Sequence, residues 1–133
     1  MTQEPVTQYA PFDRTSVPRG DQNDGQWGDP CPGAKWDFSG IWQWRNLRQQ
    51  GVLTTPTTAA APWKRFWDSV SQTPWLFNTA DKTFISYDDT QSLSIKTKYA
   101  RCSGLGGVMV WALHQDNGEL MDTVQEINGN GAC

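Results

Sequence analysis

Two runs, Ser86-Tyr87-Asp88-Asp89 and Gly104-Leu105-Gly106-Gly107-Val108-Met109-Val110-Trp111, frame the part of the chain that decides its fold. Asp88, Asp89, Thr90 and Ser92 supply side-chain oxygens able to cap a helix from about residue 91 to 102. Gly104 stands where a left-handed C-cap is wanted. Residues 107–113 are almost wholly apolar without alternation, which predicts a parallel strand buried on both faces. Asp116-Asn117-Gly118 turns the chain, and Leu120, Met121, Val124 and Ile127 then keep helical spacing over residues 119–128. The order predicted is strand, helix, strand, helix: an α/β unit with a right-handed crossover.

Working outward, Pro74-Trp75-Leu76-Phe77-Asn78 and Thr83-Phe84-Ile85-Ser86-Tyr87 read as the two strands of a hairpin around Ala80-Asp81-Lys82. Residues 63–68 have little periodicity and are expected to be extended or one helical turn. The Thr/Ala/Pro run at 54–61 is low in complexity and reads as a surface connector. Between Trp36 and Gln50, Ser39 could cap a helix starting at Gly40, with Trp44, Leu47 and Arg48 on one side; a strand start at Ile41-Trp42 competes with it. Residues 1–35, with five prolines and four glycines, keep no period and read as loop.

The bulk numbers exclude more than they identify. A chain of 133 residues suffices for one modest core. Eleven basic and fourteen acidic residues give a net charge of −3, and no basic stripe supports nucleic-acid binding. No apolar run reaches the length of a membrane span. Met1-Thr2-Gln3-Glu4-Pro5 lacks the layout of a secretory signal, so the chain is either intracellular or missing its real beginning. Cys31, Cys102 and Cys133 are odd in number, so at least one stands without a partner in the chain. Tryptophan is the outlier: eight, at positions 27, 36, 42, 44, 63, 67, 75 and 111. Any one of them is readily explained by packing, but eight in so short a chain point to flat apolar faces for stacking, as on pyranose rings.

The motifs resemble a known family. Phe12-Asp13, Val17-Pro18-Arg19-Gly20-Asp21 and Ser39-Gly40-Ile41-Trp42 match it. So do Trp67-Asp68 with Gln72-Thr73-Pro74-Trp75-Leu76-Phe77-Asn78, Ile85-Ser86-Tyr87-Asp88-Asp89 with Ser92 and Lys96, and the glycine-rich run ending at Trp111. Together they resemble the C-terminal segment of glycoside hydrolase family 18 chitinases, most like the fungal secreted ones. The resemblance implies a partial α/β fold, the C-terminal fragment of a (β/α)8 TIM barrel carrying an α+β insertion domain. A complete barrel takes roughly 250 residues. On that reading residues 1–35 are a loop-rich lead-in, 36–87 the insertion domain, and 88–133 the final α-β-α unit of the barrel. The resemblance also implies an extracellular location and chitin or chitooligosaccharide as partner. An unpaired barrel edge is expected to favour self-association.

Family resemblance implies Trp111 as the floor of the sugar subsite where cleavage occurs. Tyr87, Asn46 and Trp44 are further candidates for contact with substrate; Asn46 stands where active relatives usually carry a Glu. The family's hydrolysis is substrate-assisted, with one Glu protonating the leaving oxygen at the end of an Asp-x-x-Asp-x-Asp-x-Glu motif. Here Asp21-Gln22-Asn23-Asp24 supplies the first spacing, but Gln26 and Gly28 stand where the third Asp and the Glu belong. The chain holds three Glu, at 4, 119 and 126. None is placed as a buried general acid with a raised pKa. No catalytic residue is assigned, and the chain alone is expected to be inactive. His114 is the single histidine and reads as a loop residue. No metal or cofactor site is expected: no paired Cys spacing suggests zinc, and Asp21, Asn23, Asp24 and Asp29 lack the Glu that closes a calcium loop. Lys96 and Lys98 read as a solvated helix face, and Asp88 and Asp89 as capping residues. Two other readings compete with the truncated hydrolase: a non-catalytic chitin- or glycan-binding fragment, and a relic with no role on sugars.

Overall fold

The computed structural model describes residues 7–13, 15, 17–129 and 131–133. The chain divides into two compact units, Met1–Ile41 and Trp42–Cys133.

In the first unit a minimal antiparallel ribbon, β1 (Gln26–Trp27) and β2 (Asp37–Phe38), pairs Gln26 with Phe38 and Trp27 with Asp37. Loops hold it in place around one carboxylate. Asp24 accepts from the Gly20 N–H at 2.8 Å, the Gly40 N–H at 3.0 Å, the Ser39 hydroxyl at 2.5 Å and the Ser39 N–H at 3.3 Å. Partial burial opposes its ionisation, yet these donors outweigh that and hold its pKa below the ordinary value. Gly20 is required by close approach: a Cβ there would stand 2.0 Å from the Ile41 carbonyl oxygen. Ser39 is thus not the helix cap that the sequence suggests, because its hydroxyl is committed to Asp24.

In the second unit the first helix starts later than expected. Helix α1 (Trp44–Gln49) follows Gln43, with no side-chain cap, and ends before Gly51 at φ +72°. Its inward face buries Trp44 and Leu47. The Thr/Ala/Pro connector is in fact a second hairpin, β3 (Leu53–Thr55) with β4 (Thr58–Ala59). Leu53 anchors it in the core, and its threonines suit extended backbone.

A three-stranded antiparallel sheet follows, in the order β5 (Trp63–Asp68), β6 (Thr73–Asn78), β7 (Phe84–Ser86). Register places Phe66 opposite Trp75 and Leu76 opposite Ile85. The β6–β7 hairpin is the one read from sequence, and residues 63–68 take the extended alternative. Trp75 is stacked between Phe66 and Phe84, with ring centroids 4.1 and 5.3 Å away. The core itself is Trp44, Leu47, Val52, Leu53, Leu76 and Ile85, with Trp42, Trp63, Tyr87 and Leu120 packed against it.

Helix α2 (Thr90–Cys102) opens with a reciprocal capping box: Ser92 N–H donates to the Asp89 carboxylate and Asp89 N–H to the Ser92 hydroxyl, both at 3.0 Å. It ends before Gly104 at φ +66°, the left-handed position predicted. Helix α3 (Glu119–Val124) continues as a 3-10 turn over Gln125–Asn128 and packs on α2. A disulfide joins Cys102 to Cys133, while Cys31 is free and exposed.

The largest departure concerns residues 107–113. They pair with no strand, and every strand pair among the described residues is antiparallel. The segment is not buried on both faces, and its last residue, Leu113, opens the 3-10 turn Leu113–Gln115. Val108 and Val110 are about 40% exposed, whereas Met109, Trp111 and Leu113 are 82%, 86% and 64% exposed. Val108 and Val110 are thus less exposed than Met109 and Trp111, with which they alternate. Apolar composition reports what a segment needs around it; among the described residues no strand lies alongside to meet that need.

Candidate functional site

A groove of about 450 Å³ lies between α2, α3 and residues 108–112. Val108 and Val110 face into it with Leu93 and Thr97 of α2 and Met121 and Val124 of α3. Trp44 and Trp111 also line it, so two of the four candidate sugar contacts share one cavity. At its rim the Lys96 ammonium reaches both Asp88 oxygens, at 2.7 and 2.8 Å, and the Ser92 hydroxyl donates to Asp88 at 2.8 Å. Lys96 is exposed, as a solvated helix face requires, and is also ion-paired at the rim.

The four candidates differ sharply in what they can offer a ligand. Trp111 is the most exposed of the groove's lining residues, at 86%, and the peptide bond that follows it is cis. Trp44 is 5% exposed, and its indole N–H is divided between Asn117 Oδ1 at 3.0 Å and Glu119 Oε2 at 3.1 Å. Tyr87 stacks on Trp44, with centroids 6.4 Å apart and planes 20° apart. Its hydroxyl is buried with no hydrogen-bond partner among the described residues. Burial, reinforced by the Asp89 charge, pushes that phenol well above its ordinary pKa, so it is a neutral donor at every physiological pH. Asn46 is closed off from solvent on α1.

Behind Tyr87 lies a charge network that no local pattern announces. Asp89 is fully buried and accepts from Arg65 Nη2 at 2.6 Å and Nε at 3.0 Å. Arg65 also donates to Gln91 at 3.0 Å and lies over the Trp67 ring at 5.4 Å. One carboxylate thus caps α2 and neutralises a cation from β5. On the other side of Trp44, Glu119 accepts from Arg48 Nε at 3.0 Å and Nη2 at 3.1 Å. The side-chain partners of Trp44 and the carboxylate partner of Arg48 lie more than seventy residues downstream, beyond the reach of spacing arguments.

The described glutamates are Glu119 and Glu126, and Glu119 is held by an ion pair to Arg48. Partial burial works against ionisation of Glu119, but Arg48, Asn117 and the Trp44 N–H outweigh it and hold its pKa below the ordinary value. A general acid needs the opposite shift. Glu126 is exposed and accepts from Ser94 at 2.8 Å; Glu4 lies outside the described residues. His114 is exposed in the 3-10 turn Leu113–Gln115. Among the described residues no cluster of His, Cys, Asp or Glu could hold a metal ion, and no helix is long and apolar enough to cross a membrane.

The chain is similar to four known sequences and structures. The sequence profile of glycosyl hydrolases family 18 matches residues 9–116. A chitinase-like effector of Moniliophthora perniciosa is 31% identical over 114 residues, covering 85% of this chain and 25% of that protein. Chitinase ChiA of Flavobacterium johnsoniae is 42% identical over 65 residues, 49% of this chain and 4% of that protein. Among solved structures, the crystal structure of chitinase RmChi1 from Rhizomucor miehei superposes with a TM-score of 0.83 at 35% identity, over 96% of this chain and 35% of that one. The chain therefore spans about a third or less of the length of each of these relatives.

Proposed function

The chain belongs to glycosyl hydrolases family 18, and on that premise we propose that it carries one wall of a chitin-binding subsite without the acid that cleaves the bound sugar. The observation that carries this reading is Trp111: a large ring held out to solvent at the edge of a groove that residues 108–112 line together with α2 and α3. Such a ring gains little from packing where it stands and suits the apolar face of a pyranose. Trp44 and Tyr87 act beneath it as a stacked pair bracing the groove, and Asn46 contributes to that bracing from α1. In the barrel reading, residues 36–87 form the α+β insertion domain, 88–133 the last α-β-α unit, and 108–113 a barrel strand whose inner face bears Trp111. The alternating exposure of residues 108–113 supports that assignment.

Hydrolysis of β-1,4-linked N-acetylglucosamine polymers then belongs to a family protein that also supplies the Asp-x-x-Asp-x-Asp-x-Glu strand. This chain contributes binding surface and not the proton. The Cys102–Cys133 disulfide supports an oxidising, extracellular setting. The unpaired segment favours self-association through its open edge. A second reading, a non-catalytic glycan binder, is favoured by the commitment of Glu119 to Arg48 and by the likeness to a chitinase-like effector.

Tryptophan fluorescence titrated with chitooligosaccharides tests the subsite. We expect a saturable shift in the full chain that Trp111→Ala weakens about tenfold, the loss of one stacked ring. No shift at millimolar ligand rejects the binding reading. A fluorogenic chitobiose substrate is expected to remain intact; turnover that survives Glu119→Gln and Glu126→Gln rejects the argument from the missing acid.

A further inference from the structure

Trp36 sits one step beyond the register of the β1–β2 ribbon, across from Gly28. A Cβ on Gly28 would meet Trp36 Cε3 at 2.7 Å, so the indole lies against the bare backbone of the opposite strand. Even so, it is 70% exposed. One face of the ring is seated on the ribbon and the other is open. Strand alternation places Gln26 and Phe38 on the same side as Trp36, and Trp27 and Asp37 on the opposite side. The Arg19 guanidinium lies 5.7 Å over the Phe38 ring on that side, and Gln26 is exposed. An open aromatic plane is thus flanked by an amide and a guanidinium. The ribbon beneath is pinned where β2 ends, because the Asp24 carboxylate binds Ser39 and Gly40.

We infer that Trp36 is a second glycan-stacking platform, separate from Trp111, that holds one ring of a β-linked N-acetylhexosamine polymer. Rigid seating lowers the ordering cost of a stacking contact. Arg19 and Gln26 offer donors, and Gln26 an acceptor, for ring hydroxyls and an acetamide. The size of the patch decides between a sugar and a protein. A stable protein interface needs about 800 Å² from each partner, whereas one tryptophan offers about 200 Å² in all. The inference rests on the chitin-binding reading above, and places the platform on the unit that does not contain the groove.

The test is retention of the full chain on insoluble chitin, run beside the chitooligosaccharide titration that reports on Trp111. Trp36→Ala is expected to weaken retention about three- to tenfold, the worth of one stacked ring, while the titration is unchanged. Trp36→Tyr keeps a flat ring and is expected to retain most of the binding. Gly28→Ala lifts the indole off the ribbon and is expected to weaken retention. Trp27→Ala, on the opposite face, is expected to leave it unchanged. Equal retention by wild type and Trp36→Ala overturns the inference and leaves the Trp111 reading intact. Loss in Trp27→Ala as large as in Trp36→Ala also overturns it, since adhesion would then be general to exposed aromatics. Absence of the oligosaccharide shift, with Trp36-dependent retention, overturns the Trp111 reading alone.

Discussion

Asp89 is the residue whose removal is expected to cost this chain most for its size. It is fully buried, receives two hydrogen bonds from Arg65 and caps α2 through Ser92. Asp89→Ala leaves a guanidinium only 14% exposed without its counter-charge, a loss of about 3–5 kcal/mol. It also removes an N-cap worth about 1 kcal/mol. Gln91 still accepts from Arg65 and softens the loss, so about 4 kcal/mol is expected for the whole change. That is a large share of the roughly 5–15 kcal/mol by which domains are usually stable. Asp89→Asn separates the two contributions: its side-chain oxygen can still accept from Ser92, but the cation is stranded, for a loss of about 3 kcal/mol. Adding Arg65→Met to Asp89→Asn removes the stranded charge and is expected to restore most of that. Equilibrium urea unfolding followed by tryptophan fluorescence measures all four chains, with unchanged slopes as the sign of a common unfolded state. Asp89→Ala within about 1 kcal/mol of wild type refutes the reasoning, as does a double variant no more stable than Asp89→Asn.

Glu119 sets an acid limit. Its folded-state pKa lies below the ordinary glutamate value of about 4.3, so its contribution is whole above that value and is lost as pH falls through the lower folded-state pKa. Thermal melts between pH 6 and 3 are expected to show this limb, and Glu119→Gln to flatten it; an unchanged profile in the variant rejects the assignment. Gly20→Ala forces a Cβ into the Ile41 carbonyl and is expected to destabilise the first unit by about 1–3 kcal/mol. Limited proteolysis near β1 and β2 measures it, and wild-type resistance counts against the contact. Breaking the Cys102–Cys133 bridge with Cys102→Ser is expected to cost about 3 kcal/mol by freeing the loop it closes. A melt insensitive to this change and to reductant shows that the bridge carries no stability.

Local signals read well where the physics is local. The capping box of Asp89 and Ser92, the glycine that ends α2 and the β6–β7 hairpin all lie within a few residues of their causes. Ser39 shows the limit: it has the chemistry of a cap, but an acceptor fifteen residues back competes for its hydroxyl. The threonine hairpin at residues 53–59 was obscured by a composition shared with surface linkers. Residues 107–113 read as a buried parallel strand and form no strand among the described residues, because hydrophobicity does not say whether neighbours are present. At the candidate site, Trp111 and Tyr87 were legible as motif residues. Arg48, Glu119, Asn117 and Arg65 were not, since each acts across a distance that only folding closes.

The unpaired segment at residues 108–113 has a kinetic meaning. Fixing a residue's backbone costs about 1–2 kcal/mol, and Val108 and Val110 are already held at the groove that α2 and α3 line. A strand pairing here, as the proposed self-association requires, would find part of that cost already met. On that proposal, association would be governed by how often a suitable strand meets this edge, and dilution rather than heat would be the effective way to keep the chain single.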